Sequence, residues 1–336
     1  MNSMVIGIRP NQFKSSVGFY SFIGLIQHEF FHTWNVKQFR PKAFSPYDYT
    51  KENYSNEIWI AEGLTSYYGP FMMKRAGFLT LEQVLADIAN DVRTDRMQPG
   101  NRVQSVTEAS FDTWIKYSKQ GQNAYNAETE IYGKGSNIGL LLDLELRNRS
   151  GGERSLDDAI RLMMKIYPRN SGGYTVDDFQ KVCEEVAGST LKDFFNDYVY
   201  GVKPLDWERA LLCAGLRLET QGELRPWLGV GTAEVEGRAR VTMVVANSPA
   251  YDAGLDVGDE IIAVNNTKIR PSELAETIAS MKEGDSVAVT FFQDDKLRTV
   301  EVVLKNQSTP SYQIVKISEP SELQKKIYEG WLREKW

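Results

Sequence analysis

The sequence has 336 residues, of which 42% are hydrophobic and 25% are charged, and its formal net charge is -6. That length and apolar content can supply two cores and argue against an intrinsically disordered chain. The mild charge, with no block of Lys and Arg among aromatic residues, argues against a nucleic-acid partner. The longest apolar run near the start, residues 17–26, is too short for a transmembrane segment, which needs about 20 residues.

Helical periodicity dominates the first two thirds of the chain. One predicted helix, the third along the chain, starts after Thr80 and is closed by residues 98–101. A looser stretch separates it from the helix predicted over 127–149. The other predicted helices span 17–36, 56–76, 127–149, 156–167, 175–187 and 191–200.

Near residue 222 the pattern changes to short apolar alternations separated by turns, with one helix over 271–281. The predicted strands span 227–233, 240–245, 260–264, 286–292 and 298–304. We therefore predict an α+β protein with a mostly helical domain over 1–215 and a small β-rich domain over 222–306. A helical tail over 307–336 closes the chain.

The first candidate site is the helical segment that carries the only two histidines, His28 and His32. Side chains at i and i+4 leave one helix face about one turn apart, where two imidazoles can share a tetrahedral zinc ion. Glu29 lies beside the two ligands, where a general base can take a proton from the attacking water. The alternative is a pair of packing or capping histidines in an apolar helix.

A catalytic zinc site needs a third protein ligand, and without a third histidine that ligand is a carboxylate. Glu57 and Glu62 both lie on the second predicted helix. Glu57 is at the helix start, where the helix dipole explains an acidic residue. Glu62 is surrounded by small and apolar residues, where an unpaired carboxylate is costly, so we predict Glu62 as the ligand.

The residues that follow the histidine motif are more specific than the motif itself. The segment from His28 to Lys37, HEFFHTWNVK, is followed by Arg40 and Pro41. This string resembles the glycyl-aminopeptidase-type zinc metallopeptidases of the gluzincin clan, which have a thermolysin-like catalytic domain and a C-terminal PDZ domain. Residues 58–68 resemble the third-ligand helix of that family. The resemblance implies one zinc ion on the three ligands above and an aminopeptidase favouring small N-terminal residues such as glycine.

Residues 131–136, IYGKGS, resemble the clan's Tyr-x-Lys-Gly element. The resemblance implies that the Tyr132 phenol donates a hydrogen bond to the oxyanion formed opposite the zinc. Without the resemblance, Tyr132 is one of 16 tyrosines and is explained as a packing residue. Asn35 and Ser66 are candidates to orient the imidazoles, although capping or solvent contact explains them equally.

The start of the sequence departs from the family pattern. Family members carry a Gly-Gly-x-Glu-His-like segment just before the Asn-Ser that Asn2-Ser3 matches. The acidic residue of that segment is expected to hold the free amine of the substrate. We therefore expect the sequence to be N-terminally truncated or its start to be misassigned, and the aminopeptidase prediction rests on the resemblance alone.

The β-rich domain carries a second resemblance. Residues 227–231, WLGVG, and the segment 248–262 with its AGLDVGD string resemble a PDZ domain. Such a domain binds an extended C-terminal peptide by strand addition, and backbone N–H groups of the loop receive the peptide carboxylate. The alternative is a domain that only packs on the catalytic unit or gates it. The residues that the resemblance assigns to the groove are Leu228, Gly229, Val230, Leu274 and Ile278.

Three functional hypotheses follow, and all have a peptide or protein as partner. The first is a zinc aminopeptidase with a PDZ module. The second is a zinc endopeptidase of the same architecture, because no amine-binding residue is identified in the chain. The third is a PDZ-based peptide-binding protein whose peptidase part is incomplete and inactive.

Overall fold

The computed structural model describes residues 3–336, so Met1 and Asn2 lie outside the described residues. Asn2 belongs to the Asn2-Ser3 pair on which the comparison with the family pattern rests. The predicted α+β class is confirmed, with 47% of the chain helical and 18% in strands. The helices up to residue 213 are α1 (Ser16–Phe31), α2 (Leu64–Arg75), α3 (Leu81–Met97), α4 (Val106–Lys116), α5 (Ala124–Ala127), α6 (Ile131–Arg149), α7 (Leu156–Ile166), α8 (Val176–Ala187), α9 (Lys192–Tyr198) and α10 (Trp207–Cys213).

The first helix is shorter than its apolar pattern predicts. It starts after Ser15, whose hydroxyl accepts the Gly18 N–H, and it ends at Phe31 rather than at residue 36. The chain then turns through Val36, which has a φ of 91°, a conformation that β-branched residues rarely adopt. The turn reverses the chain while apolar residues continue, so hydrophobic periodicity did not detect it.

The second predicted helix contains two kinds of helix. Residues Trp59–Gly63 form one π-helical turn, called the π-turn below, and α2 continues from Leu64. A π-helix pairs each N–H with the carbonyl five residues back, and such single turns are often found at functional sites. The apolar pattern is continuous across both parts, so it predicts one helix.

Helix α4 was not predicted from the apolar pattern of the sequence. Ser105 and Glu108 form a reciprocal capping box at its start, which is a recognisable signal for a helix N-terminus. Its apolar residues lie on both the buried and the exposed face. Val106 and Ala109 are buried, whereas Trp114 is half exposed. That distribution obscures the periodicity on which the prediction depended.

Helix α6 forms the centre of the first hydrophobic core. Its residues between Ile138 and Leu146 are buried on all sides, so the helix is enclosed rather than amphipathic. The π-turn, α2, α7 and α8 pack around it. The element that carries Tyr132 is therefore held in place by the largest core of the protein.

The β-rich part has a second hydrophobic core, which packs against its main antiparallel sheet. The strands of the chain are β1 (Leu216–Gln221), β2 (Leu224–Trp227), β3 (Val230–Val235), β4 (Arg238–Val244), β5 (Glu260–Val264), β6 (Thr267–Lys268), β7 (Ser286–Gln293), β8 (Lys296–Val303), β9 (Lys305–Ser308) and β10 (Ser311–Lys316). The main sheet has the order β3-β4-β5-β7-β8, with β6 paired to β5. Helices α11 (Pro249–Asp252) and α12 (Leu274–Ala279) complete this unit.

The C-terminal tail packs on the first core. The tail is not helical throughout, because β10 pairs with β1 before α13 (Glu322–Leu332) begins. Ile327 and Trp331 are buried in the same cluster as α6, and the Trp331 indole N–H donates to the Tyr67 hydroxyl at 3.1 Å. The tail thus returns to the helical unit, while the boundaries 1–215, 222–306 and 307–336 stay a prediction. Within residues 3–336, no helix is both long enough and apolar enough to span a membrane.

Candidate metal centre and substrate cleft

Three side chains meet at the junction of α1 and the π-turn. The His28 Nε2 atom lies 3.1 Å from Glu62 Oε2 and 3.2 Å from His32 Nε2, and the third distance, His32 Nε2 to Glu62 Oε2, is 3.4 Å. The three side chains are partly buried, with 16–25% of their surface exposed. Two imidazole nitrogens and one carboxylate oxygen therefore form a nearly equilateral triangle that is open to solvent on one side.

The other ring nitrogen of each histidine has its own partner. His32 Nδ1 lies 3.2 Å from the Asn35 carbonyl oxygen, which can only accept, so the Nδ1 atom carries the proton. Ser66 Oγ lies 3.5 Å from His28 Nδ1 and donates to the Glu62 carbonyl at 2.9 Å. The Ser66 oxygen is thus free to accept the His28 Nδ1–H. With Nδ1–H as the donor, each imidazole can turn an Nε2 lone pair toward a cation at the centre of the triangle.

This arrangement fits a zinc ion. A tetrahedral zinc with bonds of about 2.0–2.1 Å keeps its ligand atoms about 3.3–3.4 Å apart, close to the observed edges. Two imidazoles and one carboxylate are also a donor set that catalytic zinc sites use, with a fourth position left for water or substrate. Within the described residues, these three side chains are the group that could hold a metal ion.

The electrostatics of the triangle favour an ionised Glu62. Burial by itself raises the pKa of Glu62, but hydrogen bonds and charge from His28 and His32 outweigh it and lower the pKa to about 2. Burial alone would lower the pKa of His32. The hydrogen bond and the charge of Glu62 outweigh burial, so the pKa of His32 is raised. A cation at the centre of the triangle would take over the role of the shared protons.

The competing carboxylate, Glu57, lies elsewhere. Its Oε2 atom accepts the Ser55 hydroxyl at 2.5 Å, and its Oε1 atom accepts the N–H of Val176 at 3.3 Å. Val176 is the first residue of α8, so Glu57 satisfies a free donor at that helix start. Glu57 therefore has a structural role, and it is not a member of the triangle.

A cleft of about 980 Å³ lies over the triangle, and Glu29 and Tyr132 both line it. Burial and the Glu62 charge raise the pKa of the Tyr132 hydroxyl well above its ordinary value, so the phenol stays protonated and can donate a hydrogen bond. The Tyr132 ring lies 6.0 Å from the His28 ring, measured between centroids. The predicted base and the predicted oxyanion donor thus face the same space as the three ligands.

Close backbone packing positions Tyr132. Gly63 of the π-turn and Gly135 of α6 lie so near each other that a Cβ atom on Gly63 would be 2.5 Å from the Gly135 Cα. One residue earlier, Lys134 forms a buried ion pair with Asp95 of α3 at 2.8 Å. These contacts explain the Gly and Lys of the Tyr-x-Lys-Gly segment, because each fixes the first turn of α6 against the ligand-bearing segment.

Tyr117 was not identified from the sequence. It follows α4, lines the same cleft, and packs its ring on Tyr132 with 5.4 Å between centroids. Because α4 was not predicted, no spacing argument could bring Tyr117 to this site.

The predicted PDZ groove residues lie on the second core. Leu228, Leu274 and Ile278 are buried in it, and Val230 packs against it. Gly229 has a φ of 92°, and a Cβ atom there would be 2.1 Å from the Ser248 Cβ, so this loop position requires glycine. Neither Leu228 nor Gly229 uses its N–H in a backbone hydrogen bond to another part of residues 3–336. Both groups are available for a ligand.

The fold is a helical part that carries the three-residue site, followed by a β-rich PDZ region. Residues 21–138 match the family described as M61 glycyl aminopeptidase, and residues 226–304 match the PDZ domain family. The chain therefore has one region that resembles the M61 glycyl aminopeptidase family and a second region that resembles the PDZ domain family.

The chain is similar over nearly its whole length to a solved structure. It is the crystal structure of an aminopeptidase N family protein from Idiomarina loihiensis, with a TM-score of 0.84 and 26% identity over 97% of this chain and 57% of that chain. This chain thus spans little more than half the length of that relative. A serine endoprotease from Yersinia pestis is similar over 25% of this chain and 30% of its own, at 26% identity and a TM-score of 0.23. No curated protein matches the sequence.

Proposed function

We propose that this chain carries the catalytic part of a zinc-dependent aminopeptidase that prefers small N-terminal residues such as glycine. The observation that carries the proposal is the triangle of His28, His32 and Glu62, with Glu29 and Tyr132 lining the same cleft. The description of the matched family and the aminopeptidase name of the Idiomarina protein support the choice of an exopeptidase.

Each side chain has a role that follows from its chemistry. A zinc ion held by the three ligands would act as a Lewis acid that polarises the scissile carbonyl and acidifies the attacking water. The Glu29 carboxylate accepts the proton of that water and returns it to the leaving amine. The Tyr132 hydroxyl donates a hydrogen bond to the developing oxyanion, and its raised pKa keeps the proton available for donation.

The chain can be tested by assaying release of glycine from a glycyl anilide beside its N-acetylated form. We expect hydrolysis of the free form only, its loss with 1,10-phenanthroline, and its recovery when zinc is restored. Glu29→Gln keeps the shape of the side chain but removes the base, and we expect at least a 100-fold loss of kcat. Glu52→Gln, at an exposed position outside the cleft, is the matched control.

The outcomes separate the hypotheses. Equal cleavage of the acetylated substrate would favour an endopeptidase. Hydrolysis that survives Glu29→Gln would contradict the mechanism. A chain that binds zinc but cleaves neither substrate would leave the PDZ domain as its functional part.

A second function, binding of a C-terminal peptide, is supported by the loop that precedes β3. The free N–H groups of Leu228 and Gly229 suit a carboxylate, and β3 is at the edge of the main sheet, where a peptide strand can pair. Fluorescence anisotropy with a labelled apolar peptide tests this function. Binding should require a free carboxylate, so an amidated peptide that binds equally well would overturn it.

A further inference from the structure

We infer that Asn35 is a positioning residue that sets the geometry of the metal site from two sides. Its backbone carbonyl orients His32, and its side-chain amide holds the π-turn that carries Glu62. The inference rests on the proposed zinc site, but it concerns a residue that provides no ligand atom.

The side chain of Asn35 crosses from the end of α1 to the π-turn. It is fully buried, and its Nδ2 atom lies 2.7 Å from the Ile60 carbonyl oxygen and 3.0 Å from that of Ala61. Both carbonyls belong to the π-turn and immediately precede Glu62. The amide thus contacts the backbone of the segment from which the third ligand projects.

These contacts matter because of the π-helical geometry. A π-turn widens the helix by one residue and disturbs the regular pairing of carbonyls, so donors from outside can complete it. Asn35 supplies such donors, and the Thr65 hydroxyl adds a bond to the Ala61 carbonyl at 2.6 Å. Thr65 Oγ1 is also 3.1 Å from the Asn35 amide nitrogen. The Asn35 amide, the Thr65 hydroxyl and the Ala61 carbonyl form one buried network at the backbone that precedes Glu62.

The backbone of Asn35 acts on the other ligand. Its N–H donates to the Phe31 carbonyl at 3.1 Å, and its carbonyl accepts the His32 Nδ1–H at 3.2 Å. The next residue, Val36, has the positive φ described above. A β-branched residue in that conformation is strained, and the strain persists only where surrounding contacts hold the backbone in place. One residue therefore fixes the ring of His32 and the backbone of Glu62 relative to each other.

Zinc affinity is the measurement that distinguishes positioning from ordinary packing. We expect Asn35→Ala to weaken zinc binding by about 10- to 100-fold, as the loss of other groups that orient metal ligands does. The affinity is determined by competition with a chelator of known strength. The visible spectrum of the cobalt(II)-loaded protein should change as well, because it reports the ligand geometry directly. Thr65→Val, which removes a hydroxyl of the same network, should give a smaller loss in the same direction.

Asn53→Ala is the matched control. Asn53 is also buried, and its amide donates to the carbonyls of Asp48 and Lys51 at 2.8 and 3.0 Å, away from the ligands. It should lower the urea midpoint about as much as Asn35→Ala but leave zinc affinity and the cobalt spectrum unchanged.

Three results would overturn the inference, and they are distinguishable. If wild-type protein binds zinc and both Asn35→Ala and Thr65→Val bind it equally with the same cobalt spectrum, the positioning role is wrong while the zinc site stands. If Asn53→Ala weakens zinc as much as Asn35→Ala, the effect is general destabilisation. If wild-type protein binds no zinc, the proposed site and this inference fail together.

Discussion

The contact between Gly63 and Gly135 makes Gly135→Ala a sensitive test of how Tyr132 is positioned. A Cβ atom on Gly135 would lie 2.9 Å from both the Gly63 Cα and the Trp59 carbonyl oxygen. Both atoms belong to backbone, so no side-chain rotation can relieve the clash. Ordinary contact begins near 3.4 Å, so α6 must move away from the π-turn by about 0.5 Å.

That displacement separates Tyr132 from the three ligands. A misplacement of about 1 Å at a reacting centre costs roughly 100-fold in rate, so about 0.5 Å predicts a loss of about 10-fold in kcat/KM. Alanine in a helix interior is favoured over glycine by about 1 kcal/mol, while overpacking costs about 1–3 kcal/mol. We therefore expect the free energy of unfolding to fall by at most about 2 kcal/mol.

Gly139→Ala provides the control for Gly135→Ala. It makes the same substitution one turn later on α6, so it has the same helix propensity gain. Its Cβ atom would meet the Leu64 Cδ2 atom at 2.7 Å, and the end of that side chain can move aside. Steady-state hydrolysis of the glycyl anilide, together with urea unfolding, measures both effects. Wild-type kcat/KM for Gly135→Ala, or equal losses in the two variants, would refute the reasoning.

Two further predictions concern single ionisable groups. Tyr132→Phe removes one oxyanion donor and should lower kcat by about 100- to 1000-fold with KM nearly unchanged, in the same assay. Asp91→Asn should stabilise the protein above pH 7 and have no effect below pH 4, in urea unfolding measured across pH. Burial, Asp87 and Asp95 raise the pKa of Asp91 to about 7 from 3.8. The folded state therefore binds the Asp91 proton more tightly than the unfolded state does. As the pH rises from about 4 to about 7, the free energy of unfolding falls by at most about 4 kcal/mol.

Each of these predictions has a clear contrary result. A kcat within about threefold of wild type for Tyr132→Phe would exclude the phenol as oxyanion donor, and Tyr20→Phe, in the same cleft, controls for loss of a hydroxyl. For Asp91→Asn, a gain that is the same at pH 4 and pH 8 would show that the carboxylate charge is not its cause.

The amino-acid pattern alone identified the side chains of the triangle. The spacing of His28 and His32 is a property of one helix, and the apolar neighbours of Glu62 make an unpaired carboxylate costly there. The PDZ loop was likewise recognised from a local string. Such inferences succeed because they depend on neighbours a few residues apart, whose relative positions follow from helix or turn geometry.

Only the tertiary structure decided how these segments meet. The π-turn has the same apolar pattern as an α-helix, so periodicity cannot distinguish them. The bonds from Asn35 join residues 25 and 26 positions apart, and the Gly63–Gly135 contact joins two distant helices. The return of the tail to the first core is equally non-local. Local sequence determined which groups could hold a metal, whereas packing between distant segments brought the Glu62 carboxylate to within 3.1–3.4 Å of the two imidazoles.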